Sequence, residues 1–187
     1  MKKQIPNILT MFRIVLVPYF LWLTYFSQPT NYSIWITVVF IVASITDYLD
    51  GMLARKFNVI SNFGKIMDPL ADKLLVISAL FALYSPMKFI SLAVILIIIV
   101  REVLITILRD YYARKKIYIA ANNWGKIKTV AQMVGIIAVL LYSSYLQYNG
   151  LQPNETAKLI IRIYFWITAA ITVYSGMNYI FVGKEDK

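Results

Sequence analysis

The sequence predicts an all-α integral membrane protein with six transmembrane helices, and three observations predict it. Of 187 residues, 60% are hydrophobic, which is more than one soluble core can hide. Mean hydropathy is +0.66. The apolar residues also fall into six runs on the scale a spanning helix needs, roughly 20 residues for a bilayer core of about 30 Å.

The first run, near Asn7 to Phe26, follows a short Met1 to Gln4 stretch suited to the membrane interface, with Pro6 at a helix start. It continues well past signal-peptide length without a small-residue cleavage site, so it reads as retained. Ser27-Gln28-Pro29-Thr30-Asn31 ends it. The second run, Ser33 to Arg55, gives way to the turn-prone stretch Asn58 to Gly64. The third, Pro69 to Leu83, stops at Ser85-Pro86, and the fourth covers Lys88 to Tyr112. Asn122-Asn123 separates it from the fifth, Trp124 to Leu146. Asn149-Gly150 and Pro153-Asn154 then precede the sixth, Ala157 to Val182, and Lys184 to Lys187 forms a short solvated tail. With no long connection and no internal repeat, residues 1–187 are expected to form a single domain.

Charge and missing residue types narrow the chemistry. The chain has 19 Lys and Arg against 9 Asp and Glu, a net charge of +10. Because the basic residues sit between apolar runs, an anionic membrane surface or phosphate-bearing substrates suit them, and nucleic acid does not. If both termini share one side, 16 of the 19 cations fall there and Lys88, Lys158 and Arg162 fall opposite, which puts the termini in the cytoplasm of the cell. The chain has no cysteine and no histidine. That removes disulfides, thiolate nucleophiles and imidazole bases, leaves proton transfer to carboxylates, lysines or tyrosines, and makes any metal site mainly an oxygen site for hard ions such as Mg²⁺ or Mn²⁺.

Four of the nine acids fall between Asp47 and Asp72. At 100° per residue Asp47, Asp50 and Ala54 share one helix face, and Asp68 and Asp72 share a face of the next helix. Two antiparallel helices would aim both pairs into one gap. Carboxylates so close repel strongly at low dielectric and persist only if cations neutralise them, a demand that two divalent ions meet. Paired ions are the usual clamp on a phosphoryl centre. Simpler roles exist for the individual residues: Asp68 before Pro69 as a helix cap, Gly51 and Ala54 as close helix packing, Arg55 and Lys56 as positive-inside markers. Four acids near a membrane boundary nonetheless require a function.

The stretch DYLDGMLARKFNVISNFGKIMDPLAD, Asp47 to Asp72, matches DxxDGxxARx8GxxxDxxxD, the signature of the CDP-alcohol phosphatidyltransferases, at every specified position. The resemblance covers the whole chain and implies a six-helix bundle with a polar, cytoplasm-facing cavity, usually a homodimer. It implies that Asp47, Asp50, Asp68 and Asp72 hold two ions, Mg²⁺ or Mn²⁺, and that Asp72 is also the general base. Gly51, Ala54, Arg55 and Gly64 would meet CDP-diacylglycerol, as would Ser61 and the pair Thr10 and Arg13 on the first helix. Thr10 could alternatively bond back to its own helix.

Beyond the signature, REVLITILR (Arg101 to Arg109) and GKIKTVAQ (Gly125 to Gln132) look like members of that family that form phosphatidylglycerol phosphate, with sn-glycerol 3-phosphate as acceptor. Arg101, Arg109, Lys126 and Lys128 supply the charge that a dianionic phosphate requires. Lys126 and Lys128 equally mark a cytoplasmic helix start, and Arg109, Arg114, Lys115 and Lys116 suit juxtamembrane lipid headgroups. Inositol phosphate, phosphatidylglycerol and serine are other acceptors for the same chemistry. A cation transporter would place its acids near the bilayer midplane, whereas these lie toward a helix end and are followed by a basic turn.

Overall fold

A computed structural model of the protein describes residues 5–26, 32–57, 62–115 and 123–185, with side chains at 5–8, 32, 48–51, 53–57, 62–66, 68 and 178–185 outside the described set. Every regular element among the described residues is an α-helix. They are α1 (Ile5–Phe26), α2 (Tyr32–Phe57), α3 (Asn62–Tyr84), α4 (Leu92–Arg114), α5 (Asn123–Tyr148) and α6 (Glu155–Glu185). Helix is the expected answer for long apolar runs in lipid, because it satisfies every backbone N–H and C=O within the segment.

The largest departure from the sequence reading is at α3, which begins at Asn62 and carries Pro69 inside it. Asp68 is therefore an interior residue, not the cap that its place before a proline suggests. Pro69 removes one backbone bond, a loss that helices of membrane proteins absorb, and α1 likewise runs through Pro18. Ser27 to Asn31 and Asn122 lie outside the described residues, while the turns at Ser85-Pro86 and Asn149-Gly150 are present. Gly150 takes the left-handed conformation (φ +63°), and the Leu151 N–H donates to the Leu146 carbonyl at 2.8 Å, closing α5. Asn154 caps α6 by accepting the Ala157 N–H at 3.0 Å.

Leu9–Phe26, Asn123–Tyr148 and Glu155–Met177 are each long and apolar enough to cross a membrane. Large apolar side chains are exposed along them, among them Phe26 (74%), Val130 (62%) and Ile160 (62%), as lipid contact demands and water does not. The described chain is thus all-helical, with the make-up of a membrane protein. The apolar stretches of α3 and α4 are interrupted by charged residues, Asp68, Asp72 and Lys73 in one and Arg101, Glu102 and Arg109 in the other.

The chain divides into two compact units. One comprises Met1–Met87 with Ile137–Pro153, the other Lys88–Ile136 with Asn154–Lys187. In the first unit α1 packs against both α2 and α3, and α2 against α3. Its core is built from Phe20, Ile36, Phe40, Leu75 and Leu80, all essentially inaccessible, with the Phe20 and Phe40 rings 6.2 Å apart. The C-terminal part of α5 joins α2 through hydroxyls: Thr37 Oγ1 lies 3.1 Å from the Leu140 carbonyl and 2.9 Å from Ser144 Oγ, while the Ser33 N–H donates to Gln147 at 2.8 Å. Such bonds hold helices together where apolar surface has no water to escape.

In the second unit α4 packs against α6. Gly135 of α5 lies against the Tyr164 ring so closely that a Cβ would collide with it, and the Tyr164 hydroxyl donates to the Ala131 carbonyl at 2.8 Å. Small residues allow this approach of backbone to side chain.

Candidate active site

In the first unit, the predicted metal-binding and donor-contacting residues fall on three packed helices. α2 continues unbroken through Phe57, so Asp47, Asp50, Gly51, Ala54 and Arg55 share one helix, and α3 carries Gly64, Asp68 and Asp72. Side chains of Asp50, Gly51, Ala54, Arg55, Gly64 and Asp68 are outside the described set, and Ser61 lies outside the described residues altogether. Asp72 is half-buried on α3.

Thr10 and Arg13 of α1 are buried one turn apart, Arg13 with no exposed surface. The Arg13 Nη1 lies 2.6 Å from Asp47 Oδ1, and the Asp47 side chain is 41% exposed. A fully buried guanidinium is stable only when a carboxylate or comparable acceptor meets it. The resemblance implies a donor contact at Arg13, and its position gives it a second capacity, holding the Asp47 carboxylate. That arrangement fits a divalent-ion site, since carboxylate ligands are normally held in turn by a hydrogen-bonding neighbour. The donor set fits too. A chain without histidine or cysteine offers only oxygen ligands, and Mg²⁺ and Mn²⁺ prefer them.

In the second unit, two of the four predicted acceptor residues come together. Arg101 and Lys128 are both buried, and both meet the same carboxylate oxygen, Glu102 Oε1: Lys128 in a close ion pair, Arg101 Nη1 at 3.4 Å. Arg101 is held further by α6, its Nε donating to the Thr172 carbonyl at 3.0 Å and its Nη2 to Ser175 Oγ at 2.8 Å. Arg109 and Lys126 are exposed instead, as headgroup-facing cations would be. A cavity of about 420 Å³ beside Arg101 is walled mainly by aliphatic side chains such as Leu96, Val100 and Leu104, so the polar partners of this arginine come from Glu102 and α6.

Sequence reading overlooks the α6 side of this cluster. Thr168, Thr172, Ser175 and Gly176 recur at i, i+4, i+7 and i+8 within an otherwise apolar helix, and all four have buried side chains or positions. A stripe of small and hydroxyl residues at helical spacing was the available signal.

A carboxylate series on two packed helices of an all-helical membrane protein, with a buried arginine holding one of the acids, is the kind of oxygen-donor set that metal-assisted phosphoryl transfer requires. Residues 3–174 match the CDP-alcohol phosphatidyltransferase model, and the chain belongs to that family of transferases. It is 36% identical to the CDP-diacylglycerol–glycerol-3-phosphate 3-phosphatidyltransferase of Haemophilus influenzae, across 98% of this chain and 95% of the relative. The protein of the same name from Mycoplasma pneumoniae is 34% identical across 92% of this chain and 81% of its own length. That from Rickettsia typhi is 33% identical across 95% of each.

Proposed function

We propose that the protein transfers the phosphatidyl group of CDP-diacylglycerol to sn-glycerol 3-phosphate, giving phosphatidylglycerol phosphate and CMP in phospholipid biosynthesis. The observation that carries this reading is the near-full-length similarity to relatives of that name, 33 to 36% identical, in a chain whose Asp47 to Asp72 signature is complete.

Asp47, Asp50, Asp68 and Asp72 would hold two divalent ions, Mg²⁺ or Mn²⁺. When bound, these supply Lewis acidity toward the donor diphosphate and offset the charge that CMP carries away. Arg13 keeps the Asp47 carboxylate in one orientation, and Thr10, Gly51, Ala54, Arg55, Ser61 and Gly64 contact the CDP portion, where small residues admit the nucleotide and Arg55 meets phosphate. The acceptor hydroxyl attacks the phosphorus bearing diacylglycerol, the bond from that phosphorus to the bridging oxygen breaks, and Asp72 receives the hydroxyl proton. Arg101, Arg109, Lys126 and Lys128 receive the acceptor's phosphate. Arg101 and Lys128 are the stronger pair, because both are buried and share Glu102 Oε1, whose place as their anion the acceptor's phosphate takes.

Residues 1–187 act as a single catalytic domain of six transmembrane helices. The termini and a polar active-site cavity face the cytoplasm, as the 16 to 3 division of cations supports, and two copies form a homodimer. The deciding experiment incubates purified protein in micelles with CDP-diacylglycerol and each of glycerol 3-phosphate, inositol phosphate, phosphatidylglycerol and serine. Phosphatidylglycerol phosphate as the dominant lipid product supports the assignment, and preference for another acceptor refutes it.

A further inference from the structure

The α6 segment carries a cluster that the reaction scheme above leaves without a role. Arg101 is one of the two buried cations on Glu102, yet two of its three nitrogens are engaged by α6: Nε by the Thr172 carbonyl at 3.0 Å, Nη2 by Ser175 Oγ at 2.8 Å. Ser175 itself has no exposed surface and its Oγ also lies 2.9 Å from the Thr172 carbonyl, so its hydroxyl is fixed from two sides. Gly176, the next residue, leaves room for the guanidinium: a Cβ there would come within 3.2 Å of Arg101 Nε and 3.3 Å of its Cγ. With those contacts in place, Nη1 is turned toward Glu102 Oε1, the atom that Lys128 also meets.

We propose that Ser175, with Gly176 beside it, is a positioning residue for acceptor phosphate: α6 holds Arg101 so that its Nη1 and Lys128 Nζ converge on the point that Glu102 Oε1 occupies and that the acceptor's phosphate takes in its place. This rests on the assignment of Arg101 and Lys128 to the acceptor and deepens it. An arginine is a flexible chain ending in a planar fork, and the fork binds phosphate well only when its plane is set beforehand. Ser175 and the Thr172 carbonyl set it. Neither touches the acceptor, so their loss weakens acceptor binding and leaves donor binding and the chemical step largely intact.

The test measures steady-state kinetics of the full-length protein in mixed micelles with Mg²⁺, varying glycerol 3-phosphate and CDP-diacylglycerol separately. Ser175→Ala removes the hydroxyl, and a hydrogen bond to a charged group is worth about a tenfold change in binding, so the acceptor KM rises by about that factor while donor KM stays near wild type. Gly176→Ala pushes on the same guanidinium from the other side and shifts the same parameter. Inorganic phosphate, competing with acceptor, loses affinity in parallel. Arg101→Lys raises the acceptor KM as well, and adding Ser175→Ala to it has little further effect, because the nitrogen that Ser175 held is gone. Additive effects in the double variant overturn the proposal, as does an unchanged acceptor KM in both α6 variants. Wild-type protein that makes no lipid from glycerol 3-phosphate overturns the acceptor assignment itself and this inference with it.

Discussion

A buried arginine and a part-exposed aspartate 2.6 Å apart define what each can do. Arg13 holds the Asp47 carboxylate in place by their ion pair, the condition a ligand carboxylate must meet before it can hold an ion at fixed geometry. Arg13→Ala is expected to cut CMP release by about 10- to 100-fold, the usual cost of losing a group that orients a metal ligand. Arg13→Lys, which keeps charge but not the fork, falls between. Asp72→Asn removes the proposed base and one ligand together, and turnover should drop by at least about 10²-fold while the protein still elutes from detergent gel filtration as wild type does. Near-normal turnover would refute that role. The pairing of Thr10 with Arg13 was legible in the sequence because both lie on one helix, three residues apart. The partner of Arg13 was not, since Asp47 arrives by packing of α1 against α2, which no local spacing encodes.

Helices here were legible from hydropathy, and their limits less so. Five of the six expected runs lie within a few residues of the observed helices, because long apolar stretches bounded by Asn, Gly and Pro admit few alternatives. The start of α3 was misplaced by seven residues, Asn62 against Pro69. A proline reads as a boundary in a water-soluble helix, yet α3 is already helical from Asn62 and runs through Pro69, a lost backbone bond that helices of membrane proteins absorb. Packing between elements gives a further expectation. Gly135→Ala would drive a methyl into the Tyr164 ring and is expected to destabilise the protein by about 1–3 kcal/mol, the range for overpacking. Ala138→Val on the exposed side of the same helix should be close to neutral. Thermal unfolding of both variants in detergent makes the comparison, and equal stability would show that α5 and Tyr164 have room to spare.

For the whole molecule the consequences are orientation, cofactor and reaction. The chain has no cysteine, so single-cysteine variants report sidedness without background. In intact cells Lys187→Cys should escape a membrane-impermeant maleimide, and Asn149→Cys, in the exposed turn after α5, should react; the reverse pattern would place the termini outside. In the sequence, the signature names the expected metal and donor residues, while the expected acceptor residues rest on the REVLITILR and GKIKTVAQ stretches and on charge. Which cations converge, and that Glu102, Thr172 and Ser175 fix them, depends on tertiary placement. The most direct test of phosphatidyl transfer on ion-binding aspartates follows both products of purified protein in micelles containing CDP-diacylglycerol and glycerol 3-phosphate, before and after chelation of divalent ions. CMP and phosphatidylglycerol phosphate should form in equal amounts, stop with chelation and resume with Mg²⁺ or Mn²⁺. Turnover undiminished by chelation, or CMP released with no lipid product, would contradict it.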